Sequence, residues 1–397
     1  ALVGGRAEGW GSLRTWWTSL NDPMLDRLIQ RSFEGNHDLQ IAVQRIFEAR
    51  ARRGIARGEW FPSIDGRGSF QRSRGSTEIV PIIPPELDTT ENFLDIGLDS
   101  SWELDFFGRI RRAVEAADAD LQASVENYRD ALVVLFAEVA SNYVAVRPFQ
   151  ARIEYTKENI RRQQTPLRLT MDRNRAGLVP DLDVRQAELN LATTEAFLPE
   201  LIQALAESVH RLGVLIGDYP SSLYGELEQR RPIPRPPAAV LVGVPADLMR
   251  QRPDVRRAER QLAAQTARVG VATADLYPRF ALLGTFAFSA TDAAKLFSGD
   301  ALNYSFGPAF RWNIFDGGRI RSNIRAQDAL TEQTLRSYEQ TVLLALEDDE
   351  NSMVALVQEQ DRRAALERSV VAAKKAVELV TTLYRIGLTV FQNVQDT

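Results

Sequence analysis

The densest group of titratable side chains is Glu347-Asp348-Asp349-Glu350, and two carboxylates facing one bond are the equipment of glycoside hydrolysis. The run lies inside a helical pattern, where consecutive residues point in different directions, so it supplies no acid–base pair. Cysteine is absent, and histidine occurs only as His37 and His210. That excludes disulfides, thiolate metal sites and cysteine nucleophiles, and leaves no ligand cluster for zinc. A second set of acids is spaced differently: Asp95, Asp99 and Glu103 fall on one side of a segment whose other side carries Leu94, Ile96, Leu98, Trp102 and Leu104. Such spacing builds a charged surface rather than a reactive pair, and its chemistry is electrostatic. The expectation is a protein that is not an enzyme and that uses no cofactor and no metal.

The element that must carry those acids is a β-strand, and it has three counterparts. Ile64 and Phe70 alternate with Asp65, Arg67, Ser69 and Gln71; Phe280, Leu282, Phe286 and Phe288 with Ala281, Leu283, Thr285, Ala287 and Ser289; Tyr304, Phe306, Pro308, Phe310, Trp312 and Ile314 with Asn303, Ser305, Gly307, Ala309, Arg311 and Asn313. At about 10 to 13 residues, each is near the 9 to 11 of a tilted membrane strand. A soluble sandwich has the same alternation, so the strands by themselves leave both readings open. Four strands cannot close a barrel, for which about eight is the usual minimum.

The chain is also written twice. Trp102-Glu-Leu-Asp-Phe-Phe-Gly108-Arg109-Ile110 recurs as Trp312-Asn-Ile-Phe-Asp-Gly-Gly318-Arg319-Ile320, Arg175-Ala-Gly177-Leu178 recurs as Arg385-Ile-Gly387-Leu388, and Trp60-Phe-Pro62 matches Leu276-Tyr-Pro278. Three ordered blocks at nearly one offset mark an internal duplication, with a longer loop between Gly75 and Thr90 in the first copy. Each copy pairs a hairpin with a long helical pattern, Arg109 to Arg175 and Arg319 to Arg385. The first has a seam of Val114, Leu121, Val125, Tyr128, Leu132, Leu135, Val139, Tyr143 and Val146, and the second of Ile324, Leu335, Tyr338, Val342, Ala345, Met353 and Leu356. These are coiled-coil spacings, and at 1.5 Å per residue each helix would run about 100 Å. Pro148 and Pro166 should bend or unwind the first copy. Gly177 and Gly387 stop the long helices, new helices start near Asp181 and Phe391, and Asp181 or Asp183 could cap the first of these. The domains expected are an N-terminal segment 1–57, repeat 1 over 58–218, a proline-rich extended connector 219–245, and repeat 2 over 246–397.

With 44% hydrophobic residues over 397 and a net charge of −5, the chain can build a core but offers no basic face for nucleic acid. It holds no uninterrupted apolar run of 18 residues, hence no transmembrane helix is expected, though a β-barrel leaves a weaker signal. No signal peptide is visible, and Ala1 reads as the start of a mature or trimmed chain.

Five motifs together resemble a known family: Trp16-Trp17-Thr-Ser-Leu-Asn-Asp-Pro23, Trp102-Glu-Leu-Asp-Phe-Phe-Gly-Arg, Val244-Pro-Ala-Asp-Leu-Met-Arg-Gln-Arg-Pro-Asp254, Ala274-Asp-Leu-Tyr-Pro-Arg279 and Trp312-Asn-Ile-Phe-Asp-Gly-Gly. The chain is similar along nearly its whole length to the outer-membrane factors, the TolC-like channels of Gram-negative bacteria, most closely the OprM-like branch. The resemblance implies a mixed α and β fold. In it a homotrimer gives four strands per chain to a 12-stranded transmembrane β-barrel in outer-membrane lipid, continued across the periplasm by a coiled-coil α-barrel. Asp95, Asp99 and Glu103 then line the lumen. It further implies a passive exit duct for drugs or other toxic small molecules, working with a periplasmic adaptor and an inner-membrane transporter, a proton-driven pump by expectation.

By the same resemblance Asp183 and Tyr384 match residues that link the closed periplasmic entrance, and Gln392 and Asp396 match its constriction. Thr389 stands where a TolC-like channel has arginine and Asn393 where it has an acid, so a different bond set must close this entrance. The tips Arg175, Gly177, Leu178 and Arg385, Gly387, Leu388 match the adaptor-docking sites. Many members carry a lipidated N-terminal cysteine, absent from this sequence, and family residues beyond Thr397 are expected. Protein secretion or metal efflux is the rival within the class, and a soluble coiled-coil scaffold the rival outside it.

Overall fold

A computed structural model describes residues 2–4, 15–75, 90–236, 240–242, 249–386, 388–389, 393–394 and 397. In chain order the main elements are β1 (Leu2–Gly4), α1 (Pro23–Gly35), α2 (His37–Gly58), β2 (Ser63–Arg74), β3 (Thr90–Leu104), α3 (Arg109–Arg175), α4 (Asp181–Leu215), α5 (Tyr224–Leu227), β4 (Val240–Val242), α6 (Pro253–Ala274), β5 (Arg279–Ala290), β6 (Leu302–Arg311) and α7 (Arg319–Arg385). The chain divides after Arg336. The first unit holds every strand and α1 to α6; the second holds the rest of α7 and the described residues after it.

β2, β3, β5 and β6 form one antiparallel sheet in that order, so the two hairpins join through β3 and β5. The register puts the apolar series of all four strands on one face. Phe70 lies opposite Leu94, Leu98 opposite Phe286, Phe280 opposite Phe310. That face is bare, with Phe306 86% exposed. Gly97 allows β3 to approach β5, since a Cβ there would stand 2.5 Å from Ala287 Cβ and 2.7 Å from the Phe286 carbonyl.

The duplication is structural. The Trp102 indole donates to the Trp60 carbonyl at 2.9 Å, and the Trp312 indole to the Leu276 carbonyl at 3.1 Å. In both copies the end of one strand is thus tied to the turn that enters its partner. Gly108 and Gly318 both have positive φ, 81° and 86°, and an aspartate closes each turn. Asp105 accepts the Ile110 amide at 3.1 Å, and Asp316 the Ile320 amide at 2.8 Å. The acid has moved one place along the motif and serves the same amide.

α3 runs through Pro148 and Pro166 without a break, contrary to any local unwinding. Each proline removes one helical donor, and the remaining ladder keeps the helix continuous. The main core lies where Met24, Leu25 and Leu28 of α1, Leu135, Val139, Tyr143 and Val146 of α3, and Val209, Leu212 and Leu215 of α4 meet. α3 is long and apolar enough to cross a membrane by length and composition, and 33% of its apolar stretch is buried. Nearer the strands the seam is different. Ile110, Ala116, Ala119 and Ala123 are buried there, while Val114, Leu121 and Val125 are half-buried. Opposite them α6 buries Ala258, Ala264 and Ala267, and small side chains let two helices approach closely. In α7 the expected seam is the less exposed stripe, yet only Ala345 is buried.

The connector is not simply extended. It contains the single turn α5, whose Leu227 is buried in the core, and β4, which pairs in parallel with β1. His37 is exposed, and His210 stands 3.1 Å from the Tyr224 hydroxyl.

Candidate channel lining and hairpin tips

The polar face of the sheet carries Asp65, Arg67, Asp95, Asp99, Glu103, Thr285, Ser289, Asn303 and Ser305 by the same register. It brings Asp95 and Asp99 together around one cation. Arg67 Nε donates to Asp95 at 2.7 Å and Nη1 to Asp99 at 2.5 Å. Ser289 donates to Asp95 at 2.8 Å, Thr285 to Asp99 at 2.9 Å, and Asn303 to Ser289 at 2.9 Å. The network therefore crosses all four strands. Glu103 is held separately, at the end of β3, where Arg109 Nε donates to it at 2.8 Å and Nη2 reaches Glu59 at 2.7 Å. Partial burial works against the Arg109 charge, but the Glu103 and Glu59 carboxylates outweigh it and raise its pKa. All three expected acids share the polar face, each with an arginine partner. Arg67 was visible in the sequence as a polar-face residue, but the long loop after Gly75 hides the hairpin register, so its partners were not.

Where strands give way to helices the aromatics gather. Phe107 stacks on Tyr277 at 4.6 Å, Phe106 meets Phe280 edge-on at 5.4 Å, and Phe315 is 89% exposed. Exposed aromatics at one level are what a bilayer surface selects.

At the far end of α3, Gly177 has φ 72° and the Leu178 amide reaches back five residues to the Arg173 carbonyl at 2.9 Å. This is the helix stop that only a left-handed residue makes easily. The end of α7 repeats it: the Leu388 amide bonds the Leu383 carbonyl at 2.9 Å. Leu178 and Leu388 are each 72% exposed. Arg175 is exposed beside Asp172 at 3.3 Å, and Arg385 is exposed. The N-cap of α4 is Pro180 without a side-chain bond. Neither Asp181 nor Asp183 caps; both sit in the first turn, where negative charge still favours the helix. Asp183 and Tyr384 are half-buried. Gly387, Gln392, Asp396 and the helix expected from Phe391 lie outside the described residues, Asn393 and Val394 excepted, and those two are helical.

Residues 28–218 and 244–397 match the outer membrane efflux protein family. Nodulation protein T of Rhizobium leguminosarum bv. trifolii is 33% identical over 372 residues, 94% of this chain and 78% of that protein. The solvent efflux pump outer membrane protein SrpC of Pseudomonas putida is 31% identical over 335 residues, 84% of this chain and 70% of that protein. The solved outer-membrane channel OprN superposes with a TM-score of 0.88 at 37% identity, over 96% of this chain and 84% of that one. With the two-faced sheet, the long helices and the duplicated tips, these matches make the chain a member of the outer membrane efflux protein family, a TolC-like transport channel of the outer membrane that extends into the periplasm.

Proposed function

We propose that three copies of this chain form one duct, the β6 edge of each pairing with the β2 edge of the next to close a 12-stranded barrel. Repeats 58–218 and 246–397 each supply one hairpin. The observation that carries this reading is the sheet itself, which has one bare apolar face, one polar face, and an open edge at β2 and at β6 among the described residues. Four strands with a greasy face cannot be satisfied in water or close on themselves, and closure between copies removes both edges. The apolar face then meets outer-membrane lipid and the polar face becomes the lumen.

The duct works as the outer-membrane part of a tripartite pump for toxic small molecules, as the solvent-pump relative suggests. An adaptor docks on the tips around Arg175, Leu178, Arg385 and Leu388, and an inner-membrane transporter supplies the energy. Asp183, Tyr384, Gln392 and Asp396 belong to the periplasmic aperture, which opens when adaptor binding favours splayed hairpins. The test is single-channel recording of the purified protein in a planar bilayer. Small conductance steps, enlarged when Asp183 and Asp396 are replaced, are expected. Protein that stays in aqueous solution without detergent and never inserts overturns the proposal.

A further inference from the structure

The β3 sequence read alone gives a lumen lined with bare acids, and the sheet makes that wall more crowded still. Asp65 stands directly opposite Asp99 in the β2–β3 register, so two like charges face each other on neighbouring strands, an arrangement that destabilises a ladder. Arg67 lies two residues beyond Asp65 on the same face, opposite Gly97, where no side chain blocks its reach to Asp95 on one side and Asp99 on the other. Its fork thus divides between two carboxylates four residues apart, a task that suits a guanidinium and that a single ammonium does poorly. Asp95 and Asp99 are in turn fixed from β5 by Ser289 and Thr285. The remaining lone pairs are largely occupied, and the acids cannot swing away from Arg67.

We infer that Arg67 sets the charge selectivity of the barrel lumen, holding the Asp65–Asp95–Asp99 cluster at two net negative charges per chain where the acids alone would give three. This inference rests on the polar face being a lumen, as proposed above. With three chains around one axis, the ring would lose three positive charges on removal of Arg67, and a pore with low-dielectric walls focuses such a difference. The wall that results stays anionic, with six net negative charges in the ring where the acids alone would give nine.

Because the aperture at the other end would dominate a conductance measurement, the test reads the local potential in the barrel. The chain has no cysteine, so Ser305→Cys places one reactive thiol on the polar face, opposite Thr285, and Phe306→Cys places one on the apolar face. Full-length protein in lipid vesicles is treated with a cationic and an anionic methanethiosulfonate of similar size. Reaction at position 305 and none at 306 is expected; equal reaction at both sinks the lumen reading itself. Within the Ser305→Cys background, Arg67→Gln should raise the cation-to-anion rate ratio about threefold at 0.1 M salt, and Asp95→Asn with Asp99→Asn should lower it by more than that. A ratio unmoved by Arg67→Gln, in protein that reacts at 305 and not at 306, overturns the role of Arg67 while leaving the barrel intact. Should Arg67→Gln prevent assembly, the near-isosteric double asparagine variant carries the test, since it removes the partners and leaves an arginine that already touches water.

Discussion

A buried arginine in the core has to be accounted for residue by residue. Arg147 is fully buried, lies over the Tyr143 ring at 4.9 Å and donates to its hydroxyl at 2.9 Å. The Tyr143 hydroxyl donates in turn to Asp22 at 2.6 Å, and the other Asp22 oxygen caps α1 through the Met24 amide at 2.9 Å. One hydroxyl therefore links a helix cap to a buried cation. Tyr143→Phe is expected to cost about 2 kcal/mol, the range for hydrogen bonds to charged groups, and to lower the thermal unfolding midpoint in detergent. Burial, reinforced by the Asp22 carboxylate and opposed by Arg147, raises the Tyr143 pKa above its ordinary 10.0. A raised folded value means the stabilisation is complete below pH 10 and lost as pH climbs through the folded pKa. The phenylalanine variant should lack that alkaline loss. Asp316 has the opposite sign: the Ile320 amide, ahead of that of Gly318, lowers its pKa below 3.8. Its contribution is present above pH 3.8 and disappears as pH falls through the lower folded value, so an acid titration of the midpoint should be flatter in Asp316→Asn. At this scale the sequence was legible for residue type and face. It was silent on partners, because Arg67 and Asp95, or Tyr143 and Asp22, meet only through a register or a helix crossing that no local pattern encodes.

Among the elements, strands and long helices could be read because their periods are long and clean, and the errors came where packing overrode local preference. α3 keeps going through Pro148 and Pro166, since a helix of 67 residues can lose two hydrogen bonds and remain continuous. The seam near the strands was assigned to Val114, Leu121 and Val125, but close helix packing selects alanine, and alanine carries almost no hydrophobic signal of its own. The pairing of β3 with β5, which joins the two copies, depends on Gly97. A methyl there collides with Ala287 and the Phe286 carbonyl, whereas at Gly284 the nearest side-chain atom is Ser100 Cβ at an ordinary 3.7 Å. Gly97→Ala should therefore destabilise the sheet by about 3 kcal/mol, in the range of overpacking, while Gly284→Ala stays within about 0.5. The comparison is read from thermal unfolding of the two variants in the same detergent. Equal effects would mean that β3 and β5 are free to separate at little cost.

For the whole molecule, the duplication leaves two kinds of surface unsatisfied among the described residues, the sheet edges and the leucines after the long helices. Among the described residues the sheet has an open edge on either side, so particles in detergent should sediment as three copies of a 44.5 kDa chain and fall apart only under conditions that also melt the strands. After their long helices the two copies finish alike, each with an amide reaching back five residues and each presenting one bare leucine, Leu178 and Leu388. Side chains as exposed as these, 72% for each leucine, contribute nothing to the core. Their repetition in both copies would give the proposed trimer six such contacts, and a partner that binds several at once gains far more than one contact supplies. Leu178→Glu together with Leu388→Glu should lower tolerance to a pumped compound about tenfold or more in cells that also express the matching adaptor and transporter, with the amount in the outer membrane and the bilayer conductance unchanged. Either single variant should lose less than the pair. Full tolerance in the double variant would move the docking surface away from the leucines, toward Arg175 and Arg385 beside them.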